Sequence, residues 1–71
     1  MAPTFVMPDP LTRQRAAALA DIADALDAAR CSARLAGLET EDFLVRELLL
    51  TVVEQLGRAA GIVRRLSLRR R

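Results

Sequence analysis

Between Phe43 and Leu66, apolar residues recur at helical spacing. Val45, Leu49, Val52, Leu56, Ala59, Val63 and Leu66 follow one another at alternating steps of four and three. That period holds a stripe to one side of a helix and does not fit the two-residue alternation of a half-buried strand. Leu and Ala dominate the rest of the chain, and the aromatics are limited to Phe5 and Phe43. Such usage suits helices and suits sheets poorly. At 71 residues the chain is one small domain, for which a single core is barely sufficient. An all-α fold is expected.

The segment ahead of the stripe supplies a second helix. Asp9 followed by Pro10 makes a good start, because Asp caps exposed amide protons and Pro is tolerated at the first helical position. Helix 1 is expected from about residue 10 to residue 36. Leu11, Leu19, Ile22 and Leu26 lie on one stripe that continues through Ala29, Ala33 and Ala36, and ten alanines between Ala16 and Ala36 favour the helix and keep it slim. Residues 1–8, with Pro3 and Pro8, are expected to be extended. Two readings stand for them: a frayed terminus, or an arm laying Phe5, Val6 and Met7 over the end of a bundle.

Gly37 is expected in the left-handed conformation just past helix 1, with Leu38 making the apolar contact that accompanies such a cap. Thr40 then reads as the N-cap of helix 2, with Glu41 and Asp42 in its first turn. A turn at residues 37–40 is short enough to require an antiparallel hairpin. Helix 2 is expected over about 41–68, followed by a basic tail at 69–71. Pairing about this turn sets Arg30 near Glu47, Asp21 near Arg58, and Ile22 opposite Leu56.

Helix 2 carries more apolar surface than one companion helix covers. Besides the main stripe it has Leu44, Leu48 and Ile62 on one flank and Val53 and Ala60 on the other, an arc of roughly half the circumference. The expected resolution is a homodimeric four-helix bundle with helix 2 of each chain at the centre, or a permanent protein partner. The interface residues on this reading are Leu48, Leu49, Val52, Val53, Leu56, Ala60, Ile62 and Val63. Gly57 and Gly61, with Ala60, suggest a place where another helix crosses closely; a kink or an early fray is the plainer alternative.

Charge is unevenly placed. From Asp21 to Glu54 there are eight acids and three arginines, a balance of −5, whereas Gln55 to Arg71 holds six arginines and no acid, a balance of +6. The basic residues are all Arg, which reads as the codon bias of a GC-rich bacterial genome. Arg64, Arg65, Arg69, Arg70 and Arg71 lie within eight residues. They offset the C-terminal end of the helix dipole, or bind nucleic-acid phosphates, or attract anionic lipid head groups. The nucleic-acid reading lacks an aromatic stacking platform. Arg64–Arg65–Leu66–Ser67 also resembles a basophilic kinase site, a short pattern common by chance.

Little else offers chemistry. The chain has no His, Trp or Tyr and one cysteine, so neither a catalytic triad nor a zinc, haem or iron–sulfur ligand set is available. Asp21, Asp24 and Asp27 spiral across an exposed helix and read as a solvated acidic face. Cys31 allows no internal disulfide, which with the absence of a secretory pattern in the first residues leads to a reducing cytoplasm as the expected location. No stretch is long and apolar enough to span a membrane. The function expected is therefore non-enzymatic, without cofactor or metal. It is a regulatory, antiactivator or adaptor role exerted by protein–protein interaction. A nucleic-acid-binding module and a small phage or secretion-system structural subunit are the alternatives.

Overall fold

The computed structural model describes residues 9–68, which form two helices, α1 (Pro10–Glu39) and α2 (Phe43–Leu68), packed against each other as an antiparallel hairpin. The N-terminal arm and Arg69, Arg70 and Arg71 lie outside the described residues. At the start of α1, the Asp9 carboxylate accepts a hydrogen bond from the Thr12 amide at 2.6 Å, and Pro10 occupies the first turn.

The turn departs from the sequence expectation. α1 does not stop at Ala36: it runs through Gly37 to Glu39, and among the described residues no glycine has a positive φ. Gly37 is a buried helical residue facing Leu49, and a β-carbon built on it would sit 3.9 Å from Leu49 Cβ. It does not serve chain reversal, and a β-carbon there would make only ordinary contact with Leu49. The reversal is made by extended backbone at Thr40, whose amide still donates to the Ala36 carbonyl at 3.1 Å.

The cap of α2 is also two residues later than expected. Asp42, not Thr40, accepts from the amide three residues on, Val45, at 3.0 Å, while Thr40 Oγ1 accepts from the Asp42 amide at 3.2 Å. α2 accordingly begins at Phe43. Arg46 reaches back from the first turn of α2 and donates to the carbonyls of Thr40 at 2.6 Å and Gly37 at 3.3 Å. Carbonyls at a helix end have no partner within the helix and carry the negative end of its dipole, so one guanidinium satisfies both needs.

The two helices meet along Leu19, Ala23, Leu26, Arg30, Ala33 and Gly37 of α1 and Leu49, Val53, Leu56, Ala60, Val63 and Ser67 of α2, all buried or half-buried. Both series step by three and four, the repeat of a coiled-coil seam. This seam keeps Leu19, Leu26, Ala33, Leu49, Leu56 and Val63 of the expected stripes, but its alternate positions fall one residue later, at Ala23, Arg30 and Gly37 and at Val53, Ala60 and Ser67. Ile22, Ala29 and Ala36 of α1, and Val45, Val52 and Leu66 of α2, are exposed. Small residues win the seam because they let the backbones approach and multiply close contacts. Ala60 is 1% exposed, Ala23 4% and Val53 7%.

Register is shifted as well. Arg30 lies against Gly57 rather than Glu47, and Asp27 forms an ion pair with Arg64, so α1 meets residues further along α2 than expected. The added residues of α1 and the later start of α2 move the turn, and every pair slides with it. The last turn of α2, at Ser67 and Leu68, shares a groove with Ala20, Ala23 and Asp24. Among the described residues, the part of α1 before Leu19 has no residue of α2 beside it.

Candidate interaction face

Both helices are right-handed and run in opposite directions. The residue just before each seam position therefore falls on the same side of the hairpin in both helices, and the residue just after falls on the other side (a turn of about 100° per residue either way). The following residues are Asp24, Asp27, Arg34 and Leu38 of α1 and Leu50, Glu54, Gly57, Gly61, Arg64 and Leu68 of α2. Observed contacts verify that these share one side: Asp27 pairs with Arg64, Asp24 lines a groove with Arg64 and Leu68, and Leu38 lines another with Leu50.

The preceding residues then form the opposite side. They are Ile22, Ala25, Ala29, Ser32 and Ala36 from α1 and Leu48, Val52, Gln55, Ala59, Ile62 and Leu66 from α2. Leu11 and Ala18 continue the α1 row toward the N-terminus. From end to end this side carries two charged residues of α1, Arg15 near its start and Glu39 at its end. Leu48 is 59% exposed, and Ile22, Val52, Ile62 and Leu66 each exceed two-fifths. The hairpin is amphipathic as a whole, with an apolar slab on one side and charges on the other.

The residues expected at a dimer interface divide into three groups. Val53 and Ala60 are buried within the hairpin itself and are closed to a partner, a correction to the sequence reading. Leu49, Leu56 and Val63 are half-buried seam residues. Leu48, Val52 and Ile62 stand exposed on the apolar side. At Gly57 the space is filled by the Arg30 side chain of α1 in the same chain, whereas the atom nearest a β-carbon at Gly61 is Arg65 Nη1 of α2 itself. Through this region α2 is unbroken.

Of the basic cluster, Arg64 is engaged with Asp27, both side chains being 40% exposed or more, so the pair is screened and contributes little to stability. Cys31 is exposed and free. Among the described residues, no group of three His, Cys, Asp or Glu side chains is placed to hold a metal ion, and no helix is long and apolar enough to cross a membrane.

Two residues with structural roles had no signal in the apolar pattern. Arg30 occupies a seam position, and its buried Nε has no hydrogen-bond partner. Arg46 clasps the turn. Reading the small residues as their own stripe, through Ala23, Ala33 and Gly37, would have placed Arg30 between the helices. Compared with protein-family models, with curated proteins and with solved structures, the chain finds no match.

Proposed function

We propose that the protein is a non-enzymatic helical hairpin that works by protein–protein interaction, in a regulatory or adaptor role, and that it binds first to a second copy of itself. The observation carrying this reading is the continuous apolar side shared by Ile22, Leu48, Val52, Ile62 and Leu66. Two helices about 10 Å wide and about 40 Å long present a slab of roughly 800 Å², the area each partner contributes to a standard stable interface.

The energetics of the lone chain favour the same reading. Among the described residues only Ala23, Ala33 and Val53, with Ala60, form its apolar core, and no large side chain is fully buried. Four small side chains do not offset the entropy of ordering two long helices. Stacking two slabs supplies the missing core and yields a four-helix bundle.

A nucleic-acid-binding role for Arg64, Arg65, Arg69, Arg70 and Arg71 has less support, since Arg64 is already paired within the chain. Sedimentation equilibrium tests the preferred reading. The expected mass is twice the 7.8 kDa of the chain. Val52→Glu and Ile62→Glu should each give a monomer with reduced helicity, while Arg58→Glu, away from the apolar side, should leave the dimer intact. A monomeric wild-type chain that remains fully helical at micromolar concentration sinks the proposal.

A further inference from the structure

The apolar side is not uniform: α2 supplies its large residues and α1 its small ones. Resting on the dimer reading above, we propose that two copies stack with their turns at the same end. α1 of each chain then lies over α2 of the other, and the large side chains of α2 seat in the alanine row of the facing α1.

The row on α2 is Leu48, Val52, Ile62 and Leu66, each more than two-fifths exposed, with Gln55 and Ala59 between the two large pairs. The row beside it on α1 is Ala18, Ile22, Ala25, Ala29, Ser32 and Ala36, in which Ile22 is the one large side chain. Arg15 and Glu39 lie outside that row, one beyond each end. The slab is therefore a ridge beside a trough.

Two face-to-face arrangements preserve twofold symmetry. With the turns at opposite ends, each helix lies over its own copy. Ridge then meets ridge and trough meets trough, wherever along the hairpin the axis falls. Large side chains hold the slabs apart on one edge, and the alanines of the other edge face a void, which close packing does not tolerate. With the turns at the same end, ridge meets trough along both edges. The α2-on-α2 centre expected from the width of the apolar arc belongs to the first arrangement; the two rows favour the second.

Symmetry also removes the freedom to slide. A twofold axis parallel to the hairpin leaves every residue at its own height, so residues that are level within one chain are level across the interface. Two contacts fix those heights: Gly37 lies against Leu49 near the turn, and Ala20 shares a groove with Ser67 at the other end. Both helices rise equally per residue. Counting between the two contacts places Ala36 at a height between Leu48 and Val52, Ser32 beside Gln55, Ala25 beside Ile62, and Ile22 between Ile62 and Leu66. Each large side chain of α2 thus arrives at an alanine or at a gap between two residues of the facing α1. Ser32 and Gln55, the uncharged polar residues of the slab, come level with each other, where hydroxyl and amide can satisfy one another.

The test uses the full-length chain with its single cysteine replaced, Cys31→Ser, and one spin label per chain, at Ala17→Cys in one variant and at Leu38→Cys in another. Both positions are exposed on α1, on the side away from the slab, and they stand about 30 Å apart along the helix. Turns at the same end predict a short label separation at both positions, roughly 20–30 Å across the two helix layers. Turns at opposite ends cannot make both short: wherever the axis falls, at least one separation exceeds about 35 Å. A long distance at either position overturns this inference and leaves the dimer standing. A monomer by sedimentation overturns both. As a second arm, Ala36→Leu, at a position exposed in the lone hairpin, should raise the dimer Kd about tenfold, because the partner's Leu48 and Val52 already occupy that space. With each helix over its own copy, the same leucine would fill the void between the α1 rows and tighten the dimer. A Kd that falls or stays unchanged counts against the arrangement.

Discussion

The guanidinium of Arg30 lies over Gly57: a β-carbon at residue 57 would sit 3.2 Å from Arg30 Cζ and 3.3 Å from its Nε. The same Nε is buried and makes no hydrogen bond. A charged side chain at a seam position, with one donor removed from water and unpaired, costs stability that its aliphatic stem only partly returns. Arg30→Met keeps the stem and removes the donor. It should raise stability by about 1 kcal/mol, read from urea denaturation at fixed protein concentration.

The two glycines of α2 should respond differently to alanine. At Gly61 the nearest side-chain atom is Arg65 Nη1 at 3.9 Å, so a methyl group fits, and Gly61→Ala should gain about 1 kcal/mol from helix propensity. At Gly57 the same gain is reduced by the need to displace the Arg30 guanidinium by a few tenths of an ångström. Gly57→Ala should therefore stabilise less than Gly61→Ala, and combining it with Arg30→Met should recover the difference. A double-mutant thermal series measures this coupling.

Helix capping offers a third expectation. Asp42 accepts from Val45, and Thr40 only supports the Asp42 amide. Asp42→Ala should cost about 1 kcal/mol, and Thr40→Ala clearly less. If Thr40 proves the costlier of the two in denaturant titration, the turn has the geometry read from sequence and not the one seen here.

Arg46 closes the hairpin by bonding two carbonyls across the turn. Arg46→Ala should cost about 1 kcal/mol. It should also speed amide hydrogen exchange in the residues following Gly37, because the end of α1 loses its clasp. Arg46→Lys, with a point charge in place of a planar fork, should recover only part of the loss. Exchange rates unchanged in both variants would remove this role.

The sequence was legible at the level of elements. Pro10 after Asp9, the alanine-rich run and the three-and-four spacing beyond Phe43 indicate two helices joined by a short turn, and that is the architecture observed. The surplus of apolar residues on α2 was visible too, because it depends only on the width of an arc. The turn was less legible. Gly37 is an ordinary cap signal, and nothing local distinguishes it from a helical glycine buried against Leu49. The difference lies in a residue twelve positions away.

Which stripe becomes the seam was decided by tertiary structure alone. Val52 and Val53, Ala59 and Ala60, Ile22 and Ala23 are neighbours in sequence, and a rotation of about 50° about each helix axis, half the step of one residue, brings in one of each pair instead of the other while Leu19, Leu26, Leu49, Leu56 and Val63 stay in the seam. Apolar periodicity measures how much surface wants to leave water, and both stripes satisfy it. Backbone approach distinguishes them, and it depends on both helices at once: Ala23 and Ala60 are taken into the seam beside its leucines, and Ile22, Val52 and Leu66 are left outside. Local sequence determines that this chain makes two helices with apolar surface to spare; only their packing determines that the spare surface is one continuous side.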